Sequence, residues 1–332
     1  MKKRMNVFIS TVIAVVLCFS FVACGSKNGG SAKTVELRLA YQYGLQYLPA
    51  KIVQDQKLIE KYYDGDVNVS WQTVNSGPAI NEAALAGSID GGFFGTPMAI
   101  TGVNAGVPYK IVCGISNIGN RLITNQSGIN SLADFKKGDQ IAIPSKGGIQ
   151  HITLAMAAKK ELGDAHALDD NLVGMSHPDG MTALQSGAVQ AHFTTIPYWG
   201  EELAAGGTHE VKDVAADAAP GSTAIVFVLN TKIYEENPAL YQATVKAFQE
   251  AIDYLNNPAN YDAIAESMYK DMGISKGQLI AYLNSGDVKF DMRVTGLMEF
   301  VNFMSDEGFI DKTVSKDQAS YVFEGVEVKP LP

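Results

Sequence analysis

Residues 76–97 and 176–197 align without a gap at a constant offset of 100, and six of the 22 positions are identical. Ser76 pairs with Ser176, Pro78 with Pro178, Ala83 with Ala183, Gly87 with Gly187, Phe93 with Phe193 and Pro97 with Pro197. Ile89 against Val189 and Gly91 against Ala191 keep the same character. Each copy reads as a loop, a helix, a glycine turn, a buried strand, then a proline opening another helix. Any two α/β units share that rhythm, but an unbroken register asks for more. It predicts two α/β lobes of one design, with their loops meeting across a cleft.

The rest of the chain fits this plan. "VELRLAY" alternates as a strand and leads into the helical "YLPAKIVQDQKLIEKY". "VNVSWQTV", "IDGGFF" and "YKIVCGI" supply further strands of a first lobe, with helices between them. "QIAIP", "NLVGM" and "VQAHFT" supply a second set. "STAIVFVLN" (222–230) reads as a strand returning to the first lobe. Asn237-Pro238 then caps a helix whose Leu240, Ala247, Phe248, Ala251, Ile252 and Leu255 share one face. Stretches 258–272 and 294–304 read as helices packing on that lobe. The expected division is residues 35–119 plus 225–332 for lobe 1 and 120–224 for lobe 2. The two crossings between them would form a hinge.

At the start, Lys2, Lys3 and Arg4 precede an apolar run from about Val7 to Val22, and small residues lead to Cys24. This layout predicts a secretory signal over residues 1–23 with lipid attached at Cys24. "GSKNGGSAK" follows as a tether over residues 24–34. The alternative is a retained membrane anchor. Residues 1–23 hold three basic and no acidic side chains, so their removal moves the formal charge from −9 to −12. Such acidity argues against nucleic acid and against adsorption to anionic lipid. Of the three cysteines, Cys18 leaves with the signal and Cys24 carries lipid. Cys113 alone remains, and in an apolar stretch it is expected in the core.

Catalytic motifs fail one by one. "IPSKGGIQHITL" (143–154) places Lys146 before its glycines and Ile149-Gln150 after them, the reverse of a Walker A loop. No third glycine completes a dinucleotide fingerprint. "GMSHP" (174–178) ends in Pro178 where a nucleophile elbow needs glycine, so Ser176-His177 is read as a helix start. His151, His166, His177, His192 and His209 show neither paired spacing nor partner cysteines, and no metal is expected. His151 and His192 fall near predicted loop mouths, where ligand contact and a structural role are both open. No catalytic residue and no cofactor are assigned.

Binding elements survive. Ser76-Gly77 with Pro78, and Gly147-Gly148, each stand at a helix start, where unpaired amides and a positive helix end suit an anion or a polarised carbonyl. Aromatic residues occupy other strand exits, at Tyr41, Tyr43, Phe93, Phe94, Tyr198 and Trp199. Some belong to the core, while any that face the cleft offer stacking surfaces.

At "NSGPAINEAALAGSIDGGFFGTPMAITGVNAGVPYKIV", "GINSLADFKKGDQIAIPSKGGIQHITL" and "ALQSGAVQAHFTTIPYW" the chain resembles the extracytoplasmic solute-binding proteins of ABC importers for nitrate, taurine and aliphatic sulfonates. The fungal thiamine-pyrimidine synthases share that superfamily. The resemblance runs from about Val35 onward. It implies a two-lobed α/β fold of the type II periplasmic-binding class, one small-molecule ligand, permease and ATPase partners, and a monomer held outside the cytoplasm by its lipid. It also implies ligand contacts from Tyr41, Tyr43, Ser76, Gly77, Thr96, Gly147, Gly148, Gln150, His151 and Tyr198. Where the family often carries Gly-Ser, this chain has Gly147-Gly148, so backbone amides or Gln150 must replace a hydroxyl donor. Two ligand classes stay open: a sulfonate-, taurine- or nitrate-like anion, and a heterocycle like a thiamine precursor. The enzyme alternative, a thiamine-pyrimidine synthase, depends on a cysteine-rich motif that Cys113 alone does not supply.

Overall fold

The computed structural model of the chain describes residues 34–117, 119–211, 214, 218–287 and 289–331. The expected signal segment, Cys24 and nearly all of the tether lie outside the described residues. The strands are β1 (Val35–Tyr41), β2 (Val67–Thr73), β3 (Gly91–Gly95), β4 (Tyr109–Ser116), β5 (Arg121–Thr124) and β6 (Ile141–Ile143). They continue as β7 (Leu172–Gly174), β8 (Ala191–Thr194), β9 (His209–Glu210), β10 (Ile225–Asn230), β11 (Val294–Thr295) and β12 (Val328–Lys329). The helices are α1 (Leu48–Asp55), α2 (Leu58–Tyr62), α3 (Gly77–Leu85), α4 (Thr96–Asn104), α5 (Ile149–Leu162) and α6 (His177–Gln185). After them come α7 (Tyr198–Ala205), α8 (Thr231–Glu236), α9 (Pro238–Leu255), α10 (Tyr261–Met272), α11 (Lys276–Asn284) and α12 (Leu297–Asp306).

Two five-stranded sheets repeat one topology. The first runs β2-β1-β3-β10-β4 and the second β7-β6-β8-β5-β9. In each, three parallel strands meet one antiparallel strand that arrives from the other half of the chain: β10 against β3, and β5 against β8. Ala40 pairs with Gly92 in the first sheet as Ala142 pairs with His192 in the second.

The sequence repeat lies at the centre of this likeness. Helices α3 and α6 begin and end 100 residues apart. Each closes on a glycine with positive φ, 67° at Gly87 and 77° at Gly187, a conformation that side chains rarely adopt. The next amide then turns back to the helix in both copies, from Ser88 to the Ala83 carbonyl (2.9 Å) and from Ala188 to that of Ala183 (2.8 Å).

One large apolar cluster packs the first sheet and reaches into the second through Ile123, Ala142, Leu184 and Val189, and a smaller one belongs to the second sheet alone. Phe93, Phe227 and Phe248 stack in the first, the nearest ring centroids 4.5 Å apart, and Cys113 is buried beside them in β4. Leu122, Ile141, Leu154 and Phe193 fill the second. The predicted face of α9 is buried throughout, and the Asn237 side chain accepts from the Leu240 amide as a cap. The helix expected from residue 294 starts later. Val294–Thr295 pair with β12, and Gly296 at φ 81° turns the chain before α12 begins. No helix among the described residues is long and apolar enough to cross a membrane.

Candidate functional site

The carboxyl ends of the parallel strands in both sheets open onto a narrow cleft. Ligands of open α/β sheets bind at that edge, because the loops there are free of the sheet. Gln42, Tyr43, Gln46 and Tyr47 enter after β1, Asn75 and Gly77 after β2, and Gly95 with Met98 at the exit of β3. The second sheet contributes Pro144, Ser145, Gly148, Ile149 and Gln150 after β6, and His177 after β7. Two bonds tie the walls together. The Leu45 amide donates to the Ile196 carbonyl at 3.0 Å, and the Thr195 hydroxyl donates to Gln46 Oε1 at 3.1 Å.

Helices α3, α4, α5 and α6 present their amino ends here, and α3, α5 and α6 differ in one respect. At α6, Ser176 accepts from the Asp179 amide and its hydroxyl donates to the Asp179 carboxylate at 2.6 Å, so that end is satisfied. At α3, the matching Ser76 makes no cap bond, and Ala79 stands where α6 has Asp179. At α5, the N-cap is Gly148, which has no side chain to offer. Neither α3 nor α5 carries an acidic residue in its first turn. Their first amides and positive ends therefore stand available on opposite walls.

No Lys, Arg, Asp or Glu side chain lines the cleft among the described residues. An anion there meets amides, amide side chains and phenols, with no carboxylate to repel it. Burial raises the Tyr47 hydroxyl far up and pushes Tyr198 up to about 12, so both stay protonated donors. Burial, helped by His192, pushes His177 well below the ordinary imidazole value, so its ring is neutral. The His177 ring stacks on Tyr198 with centroids 5.4 Å apart.

Of the residues singled out in the sequence, Tyr43, Gly77, Gly148 and Gln150 come together on this lining. Tyr41 and Tyr198 line an adjoining pocket with Tyr43 and Tyr47, where Lys51 and Asp271 form an ion pair at 2.8 Å. Ser76 stands one residue behind Gly77. Three others are engaged elsewhere. The Thr96 hydroxyl donates to the Thr223 carbonyl at 2.6 Å, the Gly147 amide donates to His151 Nδ1 at 2.8 Å, and His151 Nε2 meets Asp169 at 2.9 Å. His192, expected near a loop mouth, is fully buried beneath α6. Sequence reasoning passed over Gln46, Asn75 and Ser145, and it set His177 aside as a cap. Position after a strand end was the one signal for them. Among the described residues, no three His, Cys, Asp or Glu side chains are grouped to hold a metal ion.

Comparison with known proteins places this geometry. The NMT1-like family matches residues 30–269. The putative aliphatic sulfonates-binding protein of Escherichia coli (strain K12) is 29% identical over 84% of this chain and 84% of its own. The crystal structure of the periplasmic aliphatic sulphonate-binding protein SsuA from Escherichia coli superposes with a TM-score of 0.67 at 24% identity, covering 88% of this chain and 93% of that one. The periplasmic nitrate-binding protein NrtA from Synechocystis PCC 6803 gives a TM-score of 0.69 at 15% identity, over 86% and 85%. The fold is that of periplasmic binding proteins.

Proposed function

The chain belongs to the NMT1-like family, and on that premise we propose that it is the solute-binding receptor of an ABC importer, capturing a sulfonate-type oxyanion in the cleft between its sheets. It is a binding protein rather than an enzyme, as its relatives are. One observation carries the choice of ligand: the uncapped amino ends of α3 and α5 face one cleft whose lining holds neither cation nor carboxylate. A weakly basic oxyanion accepts from amides without needing a counter-charge. Tyr43, Tyr47 and Tyr198 beside it offer cover for a short apolar or flat body on the same ligand.

Lipid attachment at Cys24, delivery to a permease and its ATPase, and action as a monomer outside the cytoplasm complete the reading. The division near residues 120 and 224 supplies the hinge, and Ser76, Gly77, Gly148 and Gln150 supply the polar contacts. The aromatic wall also supports a second reading, a neutral heterocycle of the thiamine-precursor kind.

A thermal-shift series over alkanesulfonates, taurine, nitrate, pyrimidine thiamine precursors and other heterocycles separates the two. Alkanesulfonates are expected to raise the melting temperature most. Stabilisation by a neutral heterocycle with none by any oxyanion would overturn the first reading.

A further inference from the structure

A line of buried polar groups runs from the cleft into the second sheet. Gln150 and His177 line the cleft, and the Gln150 amide nitrogen lies 3.4 Å from His177 Nε2 and donates to Asn120 Oδ1 at 3.4 Å. On the far side of the ring, His177 Nδ1 is 3.2 Å from His192 Nε2 and 3.0 Å from the Thr194 hydroxyl. His192 Nδ1 then meets Glu202 Oε1 of α7 at 2.6 Å. Both His192 and Glu202 are fully buried, and Glu202 Oε2 has no partner among the described residues.

We propose that Glu202 is a positioning residue: through the tautomers of His192 and His177 it decides which polar face Gln150 turns toward the ligand. The inference rests on the reading of the cleft as an oxyanion site. A neutral imidazole has one donor nitrogen and one acceptor, so each ring passes on the direction of the bond before it. With Glu202 protonated, its O–H donates to His192 Nδ1, His192 Nε2–H donates to His177 Nδ1, and His177 Nε2–H points at Gln150. Gln150 then turns its amide over, so that its oxygen accepts from His177 and its N–H groups leave Asn120 for the cleft. With Glu202 ionised, every bond reverses. The Glu202 proton passes to His192 Nδ1, the Nε2 proton of His192 passes to His177 Nδ1, and the Nε2 proton of His177 leaves through the cleft. Gln150 now donates to His177 and shows its oxygen to the ligand.

The surroundings favour the protonated form at neutral pH. A buried carboxylate with one oxygen unpartnered costs far more than a carbonyl in the same place. Burial accordingly raises Glu202 to about 8 and lowers His192 to about 3. Charged neighbours on the packed elements are otherwise engaged. Arg121 of β5 meets Glu210, Asp287 and the Trp199 ring, while Glu201 of α7 accepts from Gln278 of α11. Tyr282 of α11 packs edge-on to Trp199.

Nitrogen-15 spectra of the histidines in the purified protein test the relay, with ethanesulfonate titrations beside them. From about pH 6.5 to about pH 9.5, both rings are expected to pass from Nε2–H to Nδ1–H in one transition, and ethanesulfonate affinity to fall about tenfold. Glu202→Gln should lose both changes, whereas a merely structural glutamate would alter affinity by the same factor at every pH. The wild-type spectra stand alone if that variant fails to fold. Tautomers that stay fixed, or a transition that survives in Glu202→Gln, overturn the proposal, and constant affinity across a tautomer switch overturns the link to Gln150. A switch with no ethanesulfonate binding at any pH overturns the oxyanion reading and supports the relay.

Discussion

The His192 imidazole fills the space that Gly180 leaves empty: a Cβ on Gly180 would lie 2.6 Å from His192 Nε2. One hundred residues earlier the same contact is inverted. There Ile80 of α3 fills the space above Gly92 of β3, where a Cβ would lie 2.5 Å from Ile80 Cγ2. Both lobes keep helix and strand equally close, one with an apolar filler from the helix and the other with an imidazole from the strand. The second lobe thereby gains a buried polar group that its counterpart lacks.

Gly180→Ala forces His192 to shift within a closely packed site. The expected cost is roughly 1–3 kcal/mol of stability, read from the urea midpoint, with weaker ligand binding because His177 moves too. An unchanged midpoint would show that the contact yields without cost.

Stability should fall on both sides of about pH 6.5. Glu202 is raised from 4.5 to about 8, so the folded state holds a proton that the unfolded state has lost, and stability declines as pH rises from 4.5 to about 8. His192 is lowered from 6.5 to about 3, so its contribution is lost as pH falls from 6.5 to about 3. Between 4.5 and 6.5 the Glu202 and His192 slopes oppose each other, and His177, also held well below 6.5 by burial, leaves stability still rising with pH. Above that window Glu202 acts alone, worth roughly 2 kcal/mol by about pH 8. Denaturation midpoints across this range should decline in the wild type and stay level in Glu202→Gln; equal declines would contradict the assignment.

Gly95 is where the two walls touch. A Cβ there would come within 2.9 Å of Ile149 Cβ and 3.1 Å of the Ile149 nitrogen, at the start of α5. Gly95→Ala should hold the walls apart, enlarge the ligand-saturated protein in small-angle scattering and weaken binding by about 1–2 kcal/mol. Gly128, where an added Cβ meets nothing within 4 Å, is the control and should tolerate alanine. Identical scattering from the two variants would contradict the contact.

Much of this fold was legible because its strongest signals are local. Gly87 and Gly187, with a proline opening each following helix, fix turns that only short-range geometry requires, and the offset of 100 carried the likeness of the lobes. Two of the loops that line the cleft followed from Gly77 and Gly148 at helix starts. β5 and β9 stayed hidden because Arg121–Thr124 and His209–Glu210 are too short to show a period, and their pairing is decided by distant partners. The relay stayed hidden for the same reason. His192 and Glu202 lie ten residues apart on a strand and the helix after it, and nothing in their spacing announces a bond.

Isothermal titration of an alkanesulfonate into the wild type and Ala79→Asp tests the oxyanion cleft most directly. An aspartate at position 79 would match Asp179, whose carboxylate accepts from the capping Ser176 hydroxyl, and would hold Ser76 in the same way while placing a negative charge at the α3 end. The wild type is expected to bind the sulfonate, and Ala79→Asp to bind it at least about tenfold more weakly with its melting temperature unchanged or raised. Equal affinity in the two proteins would contradict an anion held at the α3 end.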